Sequence, residues 1–148
     1  MRPSTVRSRA RVLRLVTLAS ALLALPALAT ELAVDIEDVG AQSGRLTVFL
    51  FDSEEAWNGT RDALAMKRVY PDGSTRLNVR FDGLRAGRYG VMVLHDKDGN
   101  RKFDVGPLGI PQDDYGFSNN PFVLKRPGFE RIAFDLPASG RRITVRMK

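Results

Sequence analysis

The sequence predicts an all-β domain, a single antiparallel β-sandwich of six to seven strands with one long polar loop. Short segments in which apolar and polar residues alternate recur along the chain, as in strands that are half buried. Turn residues, mainly Gly, Pro, Asp and Ser, separate these segments. No segment with a helical period exceeds about three turns, which disfavours a helical fold.

The predicted strands differ in how they are buried. Apolar and polar residues alternate in four segments, so each should have one solvent-exposed face. These segments are residues 32–36, 77–81, 132–136 and 143–147. Residues 46–51 and 89–94 are apolar on both faces and should be central strands. Residues 53–70 are ambiguous. Ser53 could cap a short helix, and residues 63–70 could form either a strand or a helix.

The N-terminus predicts export through a Sec-type signal peptide at residues 1–29. Five arginines and no acidic residue precede an apolar run at residues 15–25, and Ala27-Leu28-Ala29 offers small residues for cleavage. The apolar run is shorter than the roughly 20 residues that span a bilayer. We therefore expect cleavage, no remaining transmembrane anchor, a periplasmic or secreted location, and one domain over residues 30–148.

Charge and cysteine content exclude several classes of function. Removing five arginines from 23 basic residues leaves 18 against 17 acidic residues, a net charge of +1. A nearly neutral domain creates little attraction for polyanions, so nucleic acid is not the expected partner. The chain has no cysteine and one histidine, which disfavours a zinc site.

The long polar loop, residues 96–121, begins with a candidate cation-binding sequence. Asp96, Asp98, Asn100 and Asp104 occupy relative positions 1, 3, 5 and 9, and the carbonyl of Lys102 stands near position 7. Calcium prefers six to eight oxygen ligands, and this spacing allows a short loop to surround one ion. The pattern resembles the first three quarters of an EF-hand-type loop and predicts Ca²⁺ as a possible cofactor.

Two departures leave an alternative interpretation open. Arg101 stands where a turn glycine is expected, and Pro107 stands where a closing glutamate would bind, with Asp113 or Asp114 as the alternative closing carboxylate. The alternative is an ordinary Asp/Asn/Gly turn whose side chains cap their own backbone amides.

The same region offers a candidate ligand surface and a candidate catalytic group. The polar and aromatic residues suited to recognising a carbohydrate or an envelope protein are His95, Asp113, Tyr115, Ser118, Asn119 and Asn120. A small hydrolase would instead use His95 with Ser118, or with Asp96 and Asp104, as acid and base. No nucleophile-elbow motif accompanies Ser118, so a non-enzymatic module is the leading hypothesis.

Several of these motifs together resemble a bacterial exported family known as domain of unknown function 2141. They are Gly87-x-Tyr89, His95-Asp96-x-Asp98-x-Asn100-x-x-x-Asp104, Gly109-Ile110-Pro111 and residues 115–120. Arg101 departs from the glycine usual in this pattern. The resemblance covers nearly all of the expected domain and implies an extracytoplasmic β-sandwich without implying an activity. Residues 82–89 are also similar to a turn and strand of transthyretin-like and carboxypeptidase regulatory-like sandwiches, and the predicted sandwich is of the immunoglobulin-like or transthyretin-like kind, which concerns fold rather than function.

Overall fold

A computed structural model describes residues 30–40, 42–100, 112–123 and 125–148. Within them lie eight strands and two short helices: β1 Thr30–Glu37, β2 Arg45–Phe51, α1 Glu54–Trp57, β3 Ala65–Val69, β4 Leu77–Leu84, β5 Gly87–Asp96, β6 Asp114–Phe117, α2 Phe129–Ile132, β7 Phe134–Leu136 and β8 Arg141–Arg146. The predicted signal peptide lies outside the described residues. Neither helix of the described part is long and apolar enough to cross a membrane.

The strands form two sheets. One has the order β4-β1-β8, and the other has the order β3-β2-β5-β6, with β7 pairing the first residues of β5. The all-β prediction is confirmed, but the purely antiparallel arrangement is wrong because β1 and β8 pair in parallel. Local alternation reveals a strand and its wet face, whereas the direction of its partner depends on the path of the whole chain.

The two apolar segments lie where both faces of a strand are covered. β2 and β5 pair with each other in the middle of the larger sheet. Their alternate residues Leu46, Val48, Val91 and Val93 belong to a buried core that also contains residues of β1, β4 and β8. The prediction of two central strands is therefore confirmed.

A second apolar cluster covers the reverse face of the larger sheet. Phe51 and Phe117 from the sheet pack with Trp57 of α1 and with Phe129 and Ile132 of α2. Ser53 accepts a hydrogen bond from the amide of Ala56 and so caps α1, as the sequence indicated. The ambiguous segment after α1 contains the strand β3, whereas Ile132, expected in a strand, ends α2.

The C-terminal residues join the two sheets along one side. After β8, the amide of Met147 donates to the carbonyl of Glu37 at 2.9 Å. Lys148 and Tyr115 then exchange backbone hydrogen bonds of 2.9 and 3.2 Å. This contact holds β6, which the sequence placed inside a polar loop, against the smaller sheet.

Candidate functional site

The candidate loop leaves and re-enters the larger sheet at adjacent positions. β5 ends at Asp96, β6 begins at Asp114, and His95 lies opposite Asp114 in the antiparallel ladder. Asp96 and Asp113 therefore come directly after and directly before this pair along the chain. Their main chains run about 5 Å apart there, as neighbouring strands do. The ladder thus brings the backbone at the two ends of the loop together, and we call these four residues the neck.

His95 is fully buried at the neck, on the core side of β5. Its Nε2 lies 2.8 Å from the carbonyl oxygen of Ser43, so Nε2 is the donor and carries the proton. Its Nδ1 has no hydrogen-bond partner among the described residues, and the nearest carboxylate oxygen, Oδ2 of Asp114, is 3.9 Å away. His95 therefore fixes the turn before β2 against the end of β5.

Gly44 permits this close approach. It adopts a φ of +78°, and a Cβ at this position would lie 2.1 Å from the carbonyl oxygen of Asp96 and 2.7 Å from the Cα of Lys97. The hydroxyl of Ser43 donates to the carbonyl of Lys97 at 3.3 Å. The turn before β2 is thus a backbone support for the neck.

The first predicted ligand, Asp96, is buried and engaged within the protein. One carboxylate oxygen lies 3.2 Å from the guanidinium of Arg45, its neighbour across the β2–β5 ladder. The other accepts a hydrogen bond from the amide of Gly99 at 2.8 Å. Within the described residues, the cation of Arg45 and the amide of Gly99 help to offset the burial of this carboxylate.

The next two predicted ligands form a local turn. The two oxygens of Asp98 accept hydrogen bonds from the backbone and side-chain amides of Asn100, both at 3.0 Å. These bonds are those of the self-capping turn that was the alternative interpretation. Lys102 and Asp104 lie outside the described residues. Within the described residues no group of three or more His, Asp or Glu side chains is arranged to hold a metal.

A lysine side chain connects the two sides of the neck. Nζ of Lys97 lies 3.0 Å from a carboxylate oxygen of Asp114, and both side chains are about one third exposed. The sequence alone does not reveal this pair, because it depends on the pairing of β5 with β6. Two cations outside the neck, Arg45 and Lys97, therefore pair with its carboxylates Asp96 and Asp114.

The candidate ligand surface divides into buried and accessible residues. Asp113, like His95, is buried, whereas Tyr115 is half buried beside the second apolar cluster. Ser118 is fully buried, and its Oγ accepts from the amide of Val91 at 2.9 Å. It also donates to the carbonyl of Ile132, so this hydroxyl joins β5 to α2.

The two asparagines use their amides to hold backbone segments. Nδ2 of Asn119 donates to the carbonyl of Ala133 at 2.8 Å. Asn120 donates to the carbonyl of Thr144 at 2.9 Å and accepts from the amide of Arg146 at 2.8 Å. Both residues have positive φ, 62° and 46°, a conformation that asparagine tolerates better than most residues. Their described contacts are structural.

The described residues do not bring together the catalytic groups that the hydrolase alternative requires. The amide of Ser118 donates to Val91, four residues before His95 on β5, which corresponds to about 13 Å along a strand. Successive side chains on a strand point to opposite faces, so Asp96 does not share the face of His95. Asp104 lies outside the described residues. No described contact brings a nucleophile to His95.

Comparison with known protein families identifies a match. The sequence model of a family described as "Uncharacterized protein conserved in bacteria (DUF2141)" matches residues 34–144. No curated protein and no solved structure matches the chain.

Proposed function

The chain belongs to this uncharacterized bacterial family, DUF2141, and from that premise we propose that it is an exported, non-enzymatic β-sandwich module. Its recognition surface is the loop that leaves the neck, ordered by Ca²⁺. The observation that carries the proposal is the pairing of His95 with Asp114, which brings acidic residues from both ends of the loop together. A carbohydrate or an envelope protein is the proposed ligand class.

Two contacts support a sandwich of the immunoglobulin-like or transthyretin-like kind. The larger and smaller sheets contribute to one shared core, as the two inner faces of a sandwich do. The backbone hydrogen bonds between Lys148 and Tyr115 connect the sheets at one side. We propose that this framework supports the loop at residues 96–113.

Export is supported by the basic and apolar pattern of residues 1–29, which ends in small residues suited to cleavage. Thr30, the first residue after the proposed cleavage site, belongs to β1, and its hydroxyl donates to the carbonyl of Pro137 at 3.1 Å. Mass spectrometry of the protein recovered from the periplasm or the medium measures the N-terminus directly. The proposal requires it to be Thr30, and an intact Met1 would contradict it.

The proposal that the loop binds calcium depends on oxygen atoms that can still coordinate an ion. A carboxylate has about four lone-pair sites, and the bonds from Asn100 account for two of those on Asp98. Asp98 is exposed, so it is accessible to an ion. Asp96, Asn100, Lys102 and Asp104 complete the proposed set, and Asp113 or Asp114 closes it from the other side of the neck. Bound calcium would fix the loop as a defined surface.

Thermal unfolding in excess chelator and in calcium tests this proposal. A site filled to 100 times its dissociation constant adds about 2.7 kcal/mol, or several degrees of melting temperature in a domain of this size. Asp98→Ala should abolish the calcium-dependent rise without lowering the melting temperature in chelator, because its described contacts are confined to Asn100.

Asp72→Ala is the matched control. Asp72 is also exposed and caps a turn, accepting from the amide of Ser74 at 3.0 Å, but it lies far from the neck in the chain. This variant should retain the full calcium response. Equal melting of the wild type in chelator and in calcium would refute the ion, and a response that persists in Asp98→Ala would place the ion elsewhere.

A further inference from the structure

Phe122 is the most exposed of the large apolar side chains in the described residues, with 79% of its surface accessible. It follows β6 and the two asparagines with positive φ, and it precedes α2. A single exposed aromatic residue is common on protein surfaces and needs no explanation by itself. Phe122 differs because the segment that carries it is held by hydrogen bonds and is associated with several cations.

The chain on each side of Phe122 is held by specific hydrogen bonds. On the N-terminal side, Asn120 bonds to the backbone of Thr144 and Arg146 at 2.9 and 2.8 Å. On the C-terminal side, Nε1 of the buried Trp57 donates to the carbonyl of Pro127 at 2.9 Å. The exposed ring is therefore presented by a segment anchored at both ends.

Four cationic residues follow Phe122 closely in the chain or bind the backbone of residues 121 and 122. The guanidinium of Arg131 donates to the carbonyl of Phe122 at 3.0 Å, and Nζ of Lys148 donates to the carbonyl of Pro121 at 2.8 Å. Lys125 is exposed nearby in the chain. Arg126 stacks over the ring of Trp57, with its guanidinium carbon 4.0 Å from the centroid.

These four cations lack acidic partners in the described residues, whereas several arginines elsewhere form ion pairs. The carbonyls of residues 121 and 122 and the ring of Trp57 orient three of them without neutralising their charge. Phe122 is thus an exposed aromatic residue on a segment whose associated cations have no acidic partner among the described residues.

We propose that this corner of the protein, which we call the Phe122 corner, docks on the surface of an anionic phospholipid bilayer. The ring of Phe122 enters the boundary between headgroups and acyl chains, and the cations Lys125, Arg126, Arg131 and Lys148 contact the phosphates. An exposed aromatic side chain suits a fluid surface, which opens to receive it, better than a rigid partner, which would need a matching pocket. Charge complementarity selects anionic over neutral lipid.

Sedimentation with lipid vesicles tests the proposal. The protein is mixed with vesicles of phosphatidylcholine containing phosphatidylglycerol, and with vesicles of phosphatidylcholine alone. The wild type should partition onto the anionic vesicles, less strongly as salt is added, because mobile ions screen the attraction. Phe122→Ser should weaken this partitioning about tenfold or more, and Phe122→Leu should retain most of it.

Charge variants separate the two contributions. Lys125→Gln and Arg131→Gln should each weaken partitioning about fivefold, while binding to neutral vesicles stays weak. Tyr70→Ser is the matched control, because Tyr70 is 65% exposed and follows β3 at the opposite edge of the larger sheet. It should partition like the wild type. All proteins are compared in the same N-terminal form, so any effect of residues 1–29 cancels.

The proposal fails if the wild type does not sediment with anionic vesicles, or if Phe122→Ser partitions as the wild type does. It also fails if Tyr70→Ser is as impaired as Phe122→Ser, since exposed aromatic area alone would then explain the binding. If Phe122 contacts another protein and the chain does not bind lipid, the Phe122 corner is a protein interface, and the proposal of bilayer docking is wrong. Calcium plays no part in these comparisons, so their outcome is independent of the neck.

Discussion

Nε2 of His95 donates a hydrogen bond of 2.8 Å to the carbonyl oxygen of Ser43. This bond ties the end of β5, where the candidate loop begins, to the turn that precedes β2. The only histidine in the chain therefore has a structural hydrogen-bond partner, and no contact among the described residues places a nucleophile beside it.

We expect His95→Ala to lower the free energy of unfolding by about 3 kcal/mol or more. It removes a fully buried side chain, leaves a cavity and deprives the carbonyl of Ser43 of its donor. His95→Phe fills most of the volume and should cost less, about 1 to 2 kcal/mol, mainly through the lost hydrogen bond. Urea denaturation measures both. If the two variants were equally unstable, packing at this position would not be the larger contribution.

Gly44→Ala should destabilise the protein by about 2 to 4 kcal/mol. A methyl group there combines the strain of a positive φ with overlap onto the backbone of Asp96 and Lys97. Gly59→Ala is the control, since Gly59 has a similar φ of +80° but open space around it. It should cost only about 1 kcal/mol, the price of the backbone conformation. Chemical denaturation measures the free energy of unfolding of both variants, and the difference between them reports the overlap with the backbone of Asp96 and Lys97. Equal losses of stability would show that this overlap does not contribute.

Local pattern was sufficient to predict the elements that depend on nearby residues. The apolar runs at residues 46–51 and 89–94 became the paired central strands, and Ser53 capped the helix that starts at Glu54. Burial on both faces and a side-chain cap are properties of the segment itself, so one sequence reveals them.

The local pattern of apolar and polar residues does not reveal which distant strands pair with each other. The alternation of residues 143–147 identifies β8, but its parallel contact with β1 joins residues about a hundred positions apart. Likewise, the alternation of Tyr115 and Phe117 is short and lies within a polar stretch, so the pattern predicts a loop where β6 forms. Only its pairing with β5 and with Lys148 makes it a strand.

The local part of the candidate site could be predicted from the sequence, whereas the part that depends on long-range pairing could not. The acidic spacing from Asp96 onward is local, and the sequence also raised Asp113 and Asp114 as closing residues. Their position beside His95 and the pairing of Lys97 with Asp114 depend on the ladder between β5 and β6. The structural roles of Ser118, Asn119 and Asn120 depend on backbone from distant segments, which their polar side chains alone do not reveal.

The ion pair between Asp35 and Arg142 predicts a small loss of stability in acid. Hydrogen bonding from Arg142 lowers the pKa of Asp35, with Asn78 and the charges of Arg142 and Arg76 acting in the same direction against a partial opposing effect of burial. The carboxylate is thus favoured in the folded state. Its contribution is present above the ordinary pKa of 3.8 and is lost as the pH falls through the lower pKa of the folded protein.

Comparing wild type with Asp35→Asn by urea denaturation at several pH values measures this contribution. The difference between them should be constant near neutral pH and should shrink below about pH 4. It should be smaller than the loss from His95→Ala, because Arg142 is more than half exposed and solvent screens the pair. Asp82→Asn, at an exposed residue without an ion pair in the described part, is the control and should show no such difference. A gap between wild type and Asp35→Asn that persisted unchanged into strong acid would have to come from something other than the carboxylate charge, and the assignment of Arg142 as its main stabilising partner would be wrong.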